Sequence, residues 1–311
     1  MIENNFKERA MGSFVGLAVG DALGAPLEFS FRGSFEPVKD MQEGGVFHLN
    51  RGEWTDDTSM ALCLAESLLE TGEFNARDLM NRFAEWAFKG KFSSRPQSFG
   101  FGQTFFSSLI IYQRTGDPYS GSLKPKRPGN GCIMRLSPIP IFFHPDKQKV
   151  ILISGESSKP THGMPECIYA SRLFGAMLED ALSGKGKEAI LFGQEAEVEA
   201  PENIQDIANG NYQYKEENEI EGTFFAGKSL EAALWCFLKT DTYREAVLKA
   251  VNLGGDTDST AAVCGQIAGA YYGFRAIPAE WVDVLAKKDI VLGMAEKLVM
   301  YSAENMQNDQ T

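Results

Sequence analysis

Four glycines spaced four residues apart, Gly12, Gly16, Gly20 and Gly24, run through a largely apolar stretch near the N-terminus. Residues Phe6 to Leu23 read as a helix, and a spacing of four places the glycines on one bare stripe along it. Each glycine disfavours a helix by about 1 kcal/mol relative to alanine. A helix that keeps four of them must gain from the missing side chains, and close approach of another helix is the usual gain. The stripe is either core packing or a device that serves a site, and spacing alone does not choose.

The same periodicity dominates the rest of the chain. Thr58–Leu69 puts Ala61, Leu64, Ala65, Leu68 and Leu69 on one face, and Leu79–Phe88 turns Phe83, Trp86 and Ala87 inward. Further helices are expected at Thr104–Gln113, Pro165–Leu182, Ser229–Leu238, Tyr243–Val251, Ser259–Tyr272 and Ile290–Ser302. Residues 33–52, 89–103 and 117–130 read as loops, and 131–143 as an apolar segment broken by Pro138 and Pro140. The least regular part is 185–222, expected as a surface excursion. No long β-branched alternation and no interdomain linker occur, so the expectation is an all-α fold, one compact multi-helix domain over residues 1–311.

Charge and cysteine content narrow the function. With 30 Lys+Arg against 42 Asp+Glu the formal charge is −12, which argues against binding a nucleic-acid backbone. Hydrophobic residues at 43% supply a sizeable core and exclude disorder for the bulk of the chain. Cys63, Cys132, Cys167, Cys236 and Cys264 are odd in number, widely spaced and without a C-x-x-C pair, as expected of reduced thiols in a cytoplasmic protein. With only His48, His144 and His162, any metal would have oxygen ligands, which points to Mg²⁺, Mn²⁺ or Ca²⁺. Met11–Gly20 lacks a positive flank, and Asp21 closes the run at about half a membrane span, so neither a signal sequence nor a membrane partner is expected.

Two acidic turns carry the chemistry. Thr55-Asp56-Asp57-Thr58 and Gly254-Gly255-Asp256-Thr257-Asp258-Ser259 each crowd carboxylates and hydroxyls into the first turn of an apolar helix. One such cluster is an ordinary capping device, because a helix N-terminus favours oxygen acceptors and negative charge. A cap needs only one acceptor, however, and paired aspartates repel. Two doublets therefore point to cations that neutralise them, and together they would offer four carboxylates and several hydroxyls to a pair of octahedral ions.

These segments also carry a family resemblance. Gly16-Leu17-Ala18-Val19-Gly20-Asp21-Ala22-Leu23-Gly24-Ala25-Pro26-Leu27-Glu28-Phe29 resembles the first motif of the ADP-ribosylglycohydrolase family, and Trp54-Thr55-Asp56-Asp57-Thr58 its second. Asn130-Gly131-Cys132-Ile133-Met134-Arg135-Leu136-Ser137-Pro138-Ile139, Thr161-His162-Gly163-Met164-Pro165 and Gly254–Ser259 resemble its later motifs, in the family's order. The resemblance implies an all-α domain with a dinuclear Mg²⁺ or Mn²⁺ centre, two ions that assist hydrolysis of the bond from C1″ of ADP-ribose to a modified side chain. Carried over motif by motif, Thr55, Asp56 and Asp57 would ligate metal from one side and Asp256, Asp258 and Ser259 from the other, with Asp258 bridging. Glu28, Asp57 and Asp258 are the candidate catalytic residues, and Glu28 is expected on a loop able to move. Asn130, Gly131, His162, Phe101 and Gly102 would contact the substrate, whose diphosphate can rest on backbone N–H groups despite the acidic charge.

Three positions depart from the family pattern. Ser259 stands for a usual Thr, and Met164 for a polar residue. Gly100 occupies a place where arginine-directed members often carry Asp, which puts an arginine linkage in doubt. The expected partner is an ADP-ribosylated protein, with ADP-ribose as product and the enzyme a monomer or weak oligomer. Alternatives are a Mg²⁺-dependent nucleotide phosphohydrolase and a catalytically inactive, crystallin-like relative.

Overall fold

The glycine stripe meets a second helix backbone to backbone. In the computed structural model, which describes residues 2–121, 128–195 and 197–308, α1 (Ile2–Gly24) lies antiparallel to a helix at Thr257–Tyr272. A methyl group placed on Gly12, Gly16, Gly20 or Gly24 would come within 2.2, 2.4, 2.2 and 2.3 Å of the carbonyl oxygens of Gly269, Gly265, Ala261 and Thr257. Each step of four along α1 is thus answered by a step of four in the opposite direction. The contact is reciprocal, since a Cβ on Gly265 or Gly269 would reach the carbonyls of Gly16 and Gly12 at 2.1 and 2.0 Å. No side chain fits at these glycine positions of the seam.

Other helices wrap this pair, and the elements after α1 run in chain order. They are α2 (Asp56–Thr71), α3 (Ala76–Lys89), α4 (Gln103–Thr115), α5 (Pro138–Phe143), α6 (Lys147–Ser158), α7 (Pro165–Leu182), α8 (Lys187–Phe192), α9 (Glu202–Ala208), α10 (Ala226–Leu238), α11 (Tyr243–Asn252), the seam helix α12 (Thr257–Tyr272), α13 (Ala279–Asp283) and α14 (Lys288–Asn308). Among the described residues there is no strand, only two isolated bridges, Gly44 with Leu49 and Gly129 with Phe225. Helices α10 and α11 flank α12, while α14 packs on α1 and α2. One core results, and the all-α expectation holds. A stretch from Asn5 to Leu27 is long and apolar enough to cross a membrane, yet 94% of its most apolar window is buried inside this core.

Parts of the chain differ from the sequence reading. Helix α6 lies where no element was expected, because besides Val150 it buries Ser154, Gly155, Ser157 and Ser158 rather than an apolar face, and it packs on α7. The 185–222 segment is less of an excursion than its composition implies: α8, α9 and two 3₁₀ turns send Ile190, Leu191, Ile204, Ile207, Tyr212 and Ile220 into the core. Residues 122–127 of the expected 117–130 loop lie outside the described residues.

Candidate active site

The seam fixes what lies at its end. As α1 finishes at Gly24 beside Thr257, the chain turns through Ala25–Leu27 and delivers Glu28 next to the first turn of α12. The stripe is therefore core packing that also builds a site. The turn before α12 needs both glycines: Gly254 and Gly255 have φ of +74° and +81°, and a Cβ on Gly255 would meet the Gly222 carbonyl at 2.0 Å.

The start of α2 is brought to the same place by Asp21, on the last turn of α1. Thr55, the N-cap residue, makes no capping bond of its own. Asp21 caps the helix from outside instead. Its Oδ1 accepts from the Thr55 amide and hydroxyl, both at 2.9 Å, and its Oδ2 from the Thr58 amide and hydroxyl at 3.0 and 2.6 Å. The buried Trp54, whose Nε1 donates to the Ala286 carbonyl at 2.8 Å, anchors the preceding residue.

Six buried carboxyl groups result: Asp21, Glu28, Asp56, Asp57, Asp256 and Asp258. Oxygens of Asp21, Asp57 and Asp258 lie within 4.8 Å of one another, as do those of Glu28, Asp256 and Asp258. Asp258 belongs to both groups and stands between them. Thr55 Oγ1 lies 3.2 Å from both Asp57 Oδ2 and Asp258 Oδ2, linking turns 200 residues apart. Burial, followed by mutual repulsion, raises the proton affinity of the cluster: Asp21 is pushed up to about 7 and Glu28 to about 12. Asp256, where burial outweighs hydrogen bonds, is raised to about 6. Asp56, Asp57 and Asp258 rise in the same way, burial first. Glu28 Oε2 and Asp57 Oδ1 are buried without any hydrogen-bond partner. Clustered hard oxygens, two of them orphaned and none facing a Lys or Arg ion pair among the described residues, fit divalent cations.

A cleft of about 810 Å³ opens over this cluster, within the size range of small-ligand sites. Glu28, Asp56, Asp256, Asp258 and Ser259 line its floor, while Thr55 and Asp57 lie behind them. Phe101, Gly102, Asn130, Gly131 and His162 form its walls. Asn130 does not present a free amide, because its Nδ2 donates to Asp256 Oδ2 at 2.7 Å and reaches Ser229 Oγ at 3.3 Å. Phe101 is clamped between Phe106, stacked at 5.6 Å, and the edge of Trp86 at 5.5 Å. The hydroxyl of Ser259 points at Met134 Sδ, 3.6 Å away.

Two expectations change. The loop carrying Glu28 is tied down: the Phe29 amide donates to the Gly255 carbonyl at 2.8 Å, the Gly255 amide to the Ser30 carbonyl at 2.7 Å, and Arg32 Nε to the Leu253 carbonyl at 2.9 Å. The backbone of Phe29 is held at φ +70°, a strained value for an aromatic residue. Gly100 is also more than a missing Asp. At φ +87° a Cβ there would stand 2.8 Å from Asp56 Oδ1, so the position is a close approach of backbone to the acid cluster.

Sequence reading missed Asp21 as a working residue, along with Phe224 and Phe225, which line the cleft with Phe29, Phe224 stacked on the Phe29 ring at 5.6 Å. A lone carboxylate within an apolar, glycine-striped helix was the available signal for Asp21. Nothing local marked the phenylalanines.

A family model described as ADP-ribosylglycohydrolase matches residues 2–308. The chain belongs to the ADP-ribosylglycohydrolase family. It is 37% identical to ADP-ribosylarginine hydrolase Tri1 of Serratia proteamaculans, over 97% of this chain and 82% of that one. It is 32% identical to ADP-ribosyl-[dinitrogen reductase] glycohydrolase of Rhodospirillum rubrum, over 90% of this chain and 91% of that protein. A solved structure described as an ADP-ribosylglycohydrolase-related protein complex superposes with a TM-score of 0.85 at 38% identity, covering 96% of this chain and 99% of its own. As a member of this ADP-ribosylglycohydrolase family, the chain is a glycohydrolase.

Proposed function

We propose that this glycohydrolase releases ADP-ribose from a modified protein side chain, with two divalent cations held among the carboxylates. The observation that carries the reading is the convergence of Asp56, Asp57, Asp256, Asp258 and Glu28 beneath one ligand-sized cleft. Thr55, Asp56 and Asp57 would hold cations from α2, and Asp256, Asp258 and Ser259 from α12, with Asp258 common to both. Mg²⁺ or Mn²⁺ held by these oxygens would supply Lewis acidity, to orient ribose hydroxyls and to acidify a water.

The chain's own residues divide the remaining work. Asp21 holds Thr55, and Asn130 holds Asp256, so that their oxygens keep fixed directions. Glu28 is the group for proton transfer, because Oε2 carries no protein partner while Asp21 is fully engaged. In the reaction the bond from C1″ to the side chain breaks through an oxocarbenium-like transition state. Water supplies hydroxide to C1″ and, by way of Glu28, a proton to the leaving nitrogen or oxygen. Among the described residues the cleft lining contains no Lys or Arg, so backbone groups at Gly100, Gly102, Gly129 and Gly131 serve the diphosphate.

An arginine linkage is the substrate we favour, because the Serratia relative is named an ADP-ribosylarginine hydrolase. The five free, buried thiols support a reducing, cytoplasmic setting. Defined arginine- and serine-linked ADP-ribosyl peptides, incubated with and without EDTA, test the reading. Free ADP-ribose from the arginine peptide, lost in EDTA and restored by Mg²⁺, is the expected result. Phosphate as product would favour a phosphohydrolase, and metal binding without turnover a binding protein.

A further inference from the structure

His162 enters the cleft wall on a chain of hydrogen bonds that begins at a buried cation. Arg135 is fully buried, with its guanidinium 4.9 Å over the ring of Phe83. Its Nη2 donates to the Ser157 carbonyl at 3.1 Å and to Thr161 Oγ1 at 2.8 Å. Thr161 Oγ1 in turn lies 2.8 Å from His162 Nδ1. The backbone of His162 is fixed too, its amide donating to the Ser158 carbonyl at 2.7 Å and its carbonyl accepting from Ser158 Oγ at 2.6 Å.

The direction of this chain follows from what each group can do. A guanidinium only donates, so Thr161 Oγ1 accepts from Arg135. The hydroxyl keeps one proton of its own. Thr161 is fully buried, and among the described residues His162 Nδ1 is the sole acceptor within reach of that proton. If Nδ1 carried hydrogen, the Thr161 proton would be buried with no acceptor, at a penalty of about 1–3 kcal/mol. If Nδ1 is bare, every hydrogen in the chain is used.

We propose that Arg135 and Thr161 are positioning residues that hold His162 as the Nε2–H tautomer, so that the ring presents a hydrogen-bond donor to an oxygen of ADP-ribose. The ligand in this statement rests on the proposed function. The Nε2 edge lies over the turn that lines the cleft, since a Cβ on Gly131 would stand 3.0 Å from Nε2 and one on Gly129 3.1 Å. Among the described residues Nε2 has no protein partner, although the ring is only 4% exposed. Burial, and then the nearby charge of Arg135, pushes the imidazole down to about 3, so the ring enters the reaction neutral.

The full-length protein labelled with ¹⁵N-histidine, without ligand, provides the first measurement. The expected spectrum gives His162 a pyridine-type Nδ1 and a pyrrole-type Nε2 signal; the reverse pattern overturns the proposal. Titration with ADP-ribose is the second measurement. Thr161→Val should mix the tautomers and weaken ADP-ribose binding about tenfold, the worth of one mis-set hydrogen bond. Thr161→Ser, which keeps the hydroxyl, should restore both. A Thr161→Val protein with unchanged tautomer and affinity refutes the relay. Should that variant not fold, the wild-type spectrum still decides the tautomer. Failure of the wild type to bind ADP-ribose, with the Nε2–H signature in place, would overturn the ligand assignment and the proposed function while leaving the tautomer assignment intact.

Discussion

The hydroxyl of Thr257 donates to the carbonyl of Gly24 at 2.7 Å, closing the α1–α12 seam at its site end. Glu28 follows four residues after one partner, and Asp258 one residue after the other. Packing of the seam and geometry of the acid cluster are therefore the same problem. Gly20→Ala would force a methyl group to within 2.2 Å of the Ala261 carbonyl, where only backbone could give way. The expected loss is about 1–3 kcal/mol or more, with weaker Mg²⁺-induced stabilisation. Gly293→Ala is the control, because a Cβ there meets nothing within 4 Å and α14 should gain about 0.4–1 kcal/mol. Thermal and urea denaturation of the two variants should move in opposite directions.

Asp21 gives a second prediction. Asn in its place keeps the shape but turns an amide toward donors, so at least one of Thr55 or Thr58 loses its acceptor. The free end of α2 then loses its external cap, worth about 1 kcal/mol. Mg²⁺ should raise the melting temperature of the wild type by mass action. In Asp21→Asn that increment should shrink. An Asp21→Asn protein with a full Mg²⁺ shift would mean that the cap does not orient the cluster.

What the sequence made legible was whatever had to be written locally. Asp56-Asp57 and Asp256-x-Asp258 stood out because a helix cap needs one acceptor and each turn offers two. The glycine stripe showed that a helix must come close, but not which one, since its partner α12 lies more than 230 residues later. The roles of Asp21 and Arg135 were not legible for a different reason. Each works through partners supplied by other segments, Thr55 and Thr58 for one and Ser157 and Thr161 for the other. Helix α6 escaped because, Val150 apart, it buries hydroxyls and a glycine, which carry no hydrophobic period.

The buried imidazole sets a pH dependence. In the unfolded chain His162 would titrate near 6.5, whereas burial and Arg135 hold it near 3 in the fold. The unfolded state therefore binds more protons between those values. The stability this group contributes is fully present above about pH 6.5 and is lost as pH falls toward 3. Relative to His162→Gln, the wild type should lose about 2 kcal/mol between pH 6.5 and 5, at about 1.4 kcal/mol per pH unit. Parallel urea titrations measure the difference, and curves of equal slope would place a charged His162 in the fold.

Glu28 separates binding from chemistry. Glu28→Gln keeps the size of the side chain and leaves the Phe29–Gly255 backbone bonds in place. ADP-ribose binding should stay near the wild-type level while turnover falls by about 10²-fold or more, as for a lost acid–base group. Equal losses in affinity and rate would make Glu28 a ligand or structural residue instead.

Gly100 tests the linkage and the local geometry together. If an arginine-linked substrate needed only a carboxylate at this place, Gly100→Asp would improve turnover of the arginine-linked peptide. The backbone predicts the opposite. At φ +87° an aspartate is strained by about 1–3 kcal/mol, and its Cβ would press on Asp56 Oδ1 from 2.8 Å. A further carboxylate beside six buried ones also adds repulsion. The variant should therefore melt earlier without cations and turn over the arginine-linked peptide more slowly than the wild type. Gly100→Ala carries the steric part of that change without the charge, so the gap between the two variants in melting temperature, with and without Mg²⁺, isolates the electrostatic part. A faster Gly100→Asp enzyme would show that the cleft floor can yield at this point and that the glycine, not the backbone around it, restrains activity on arginine-linked substrates.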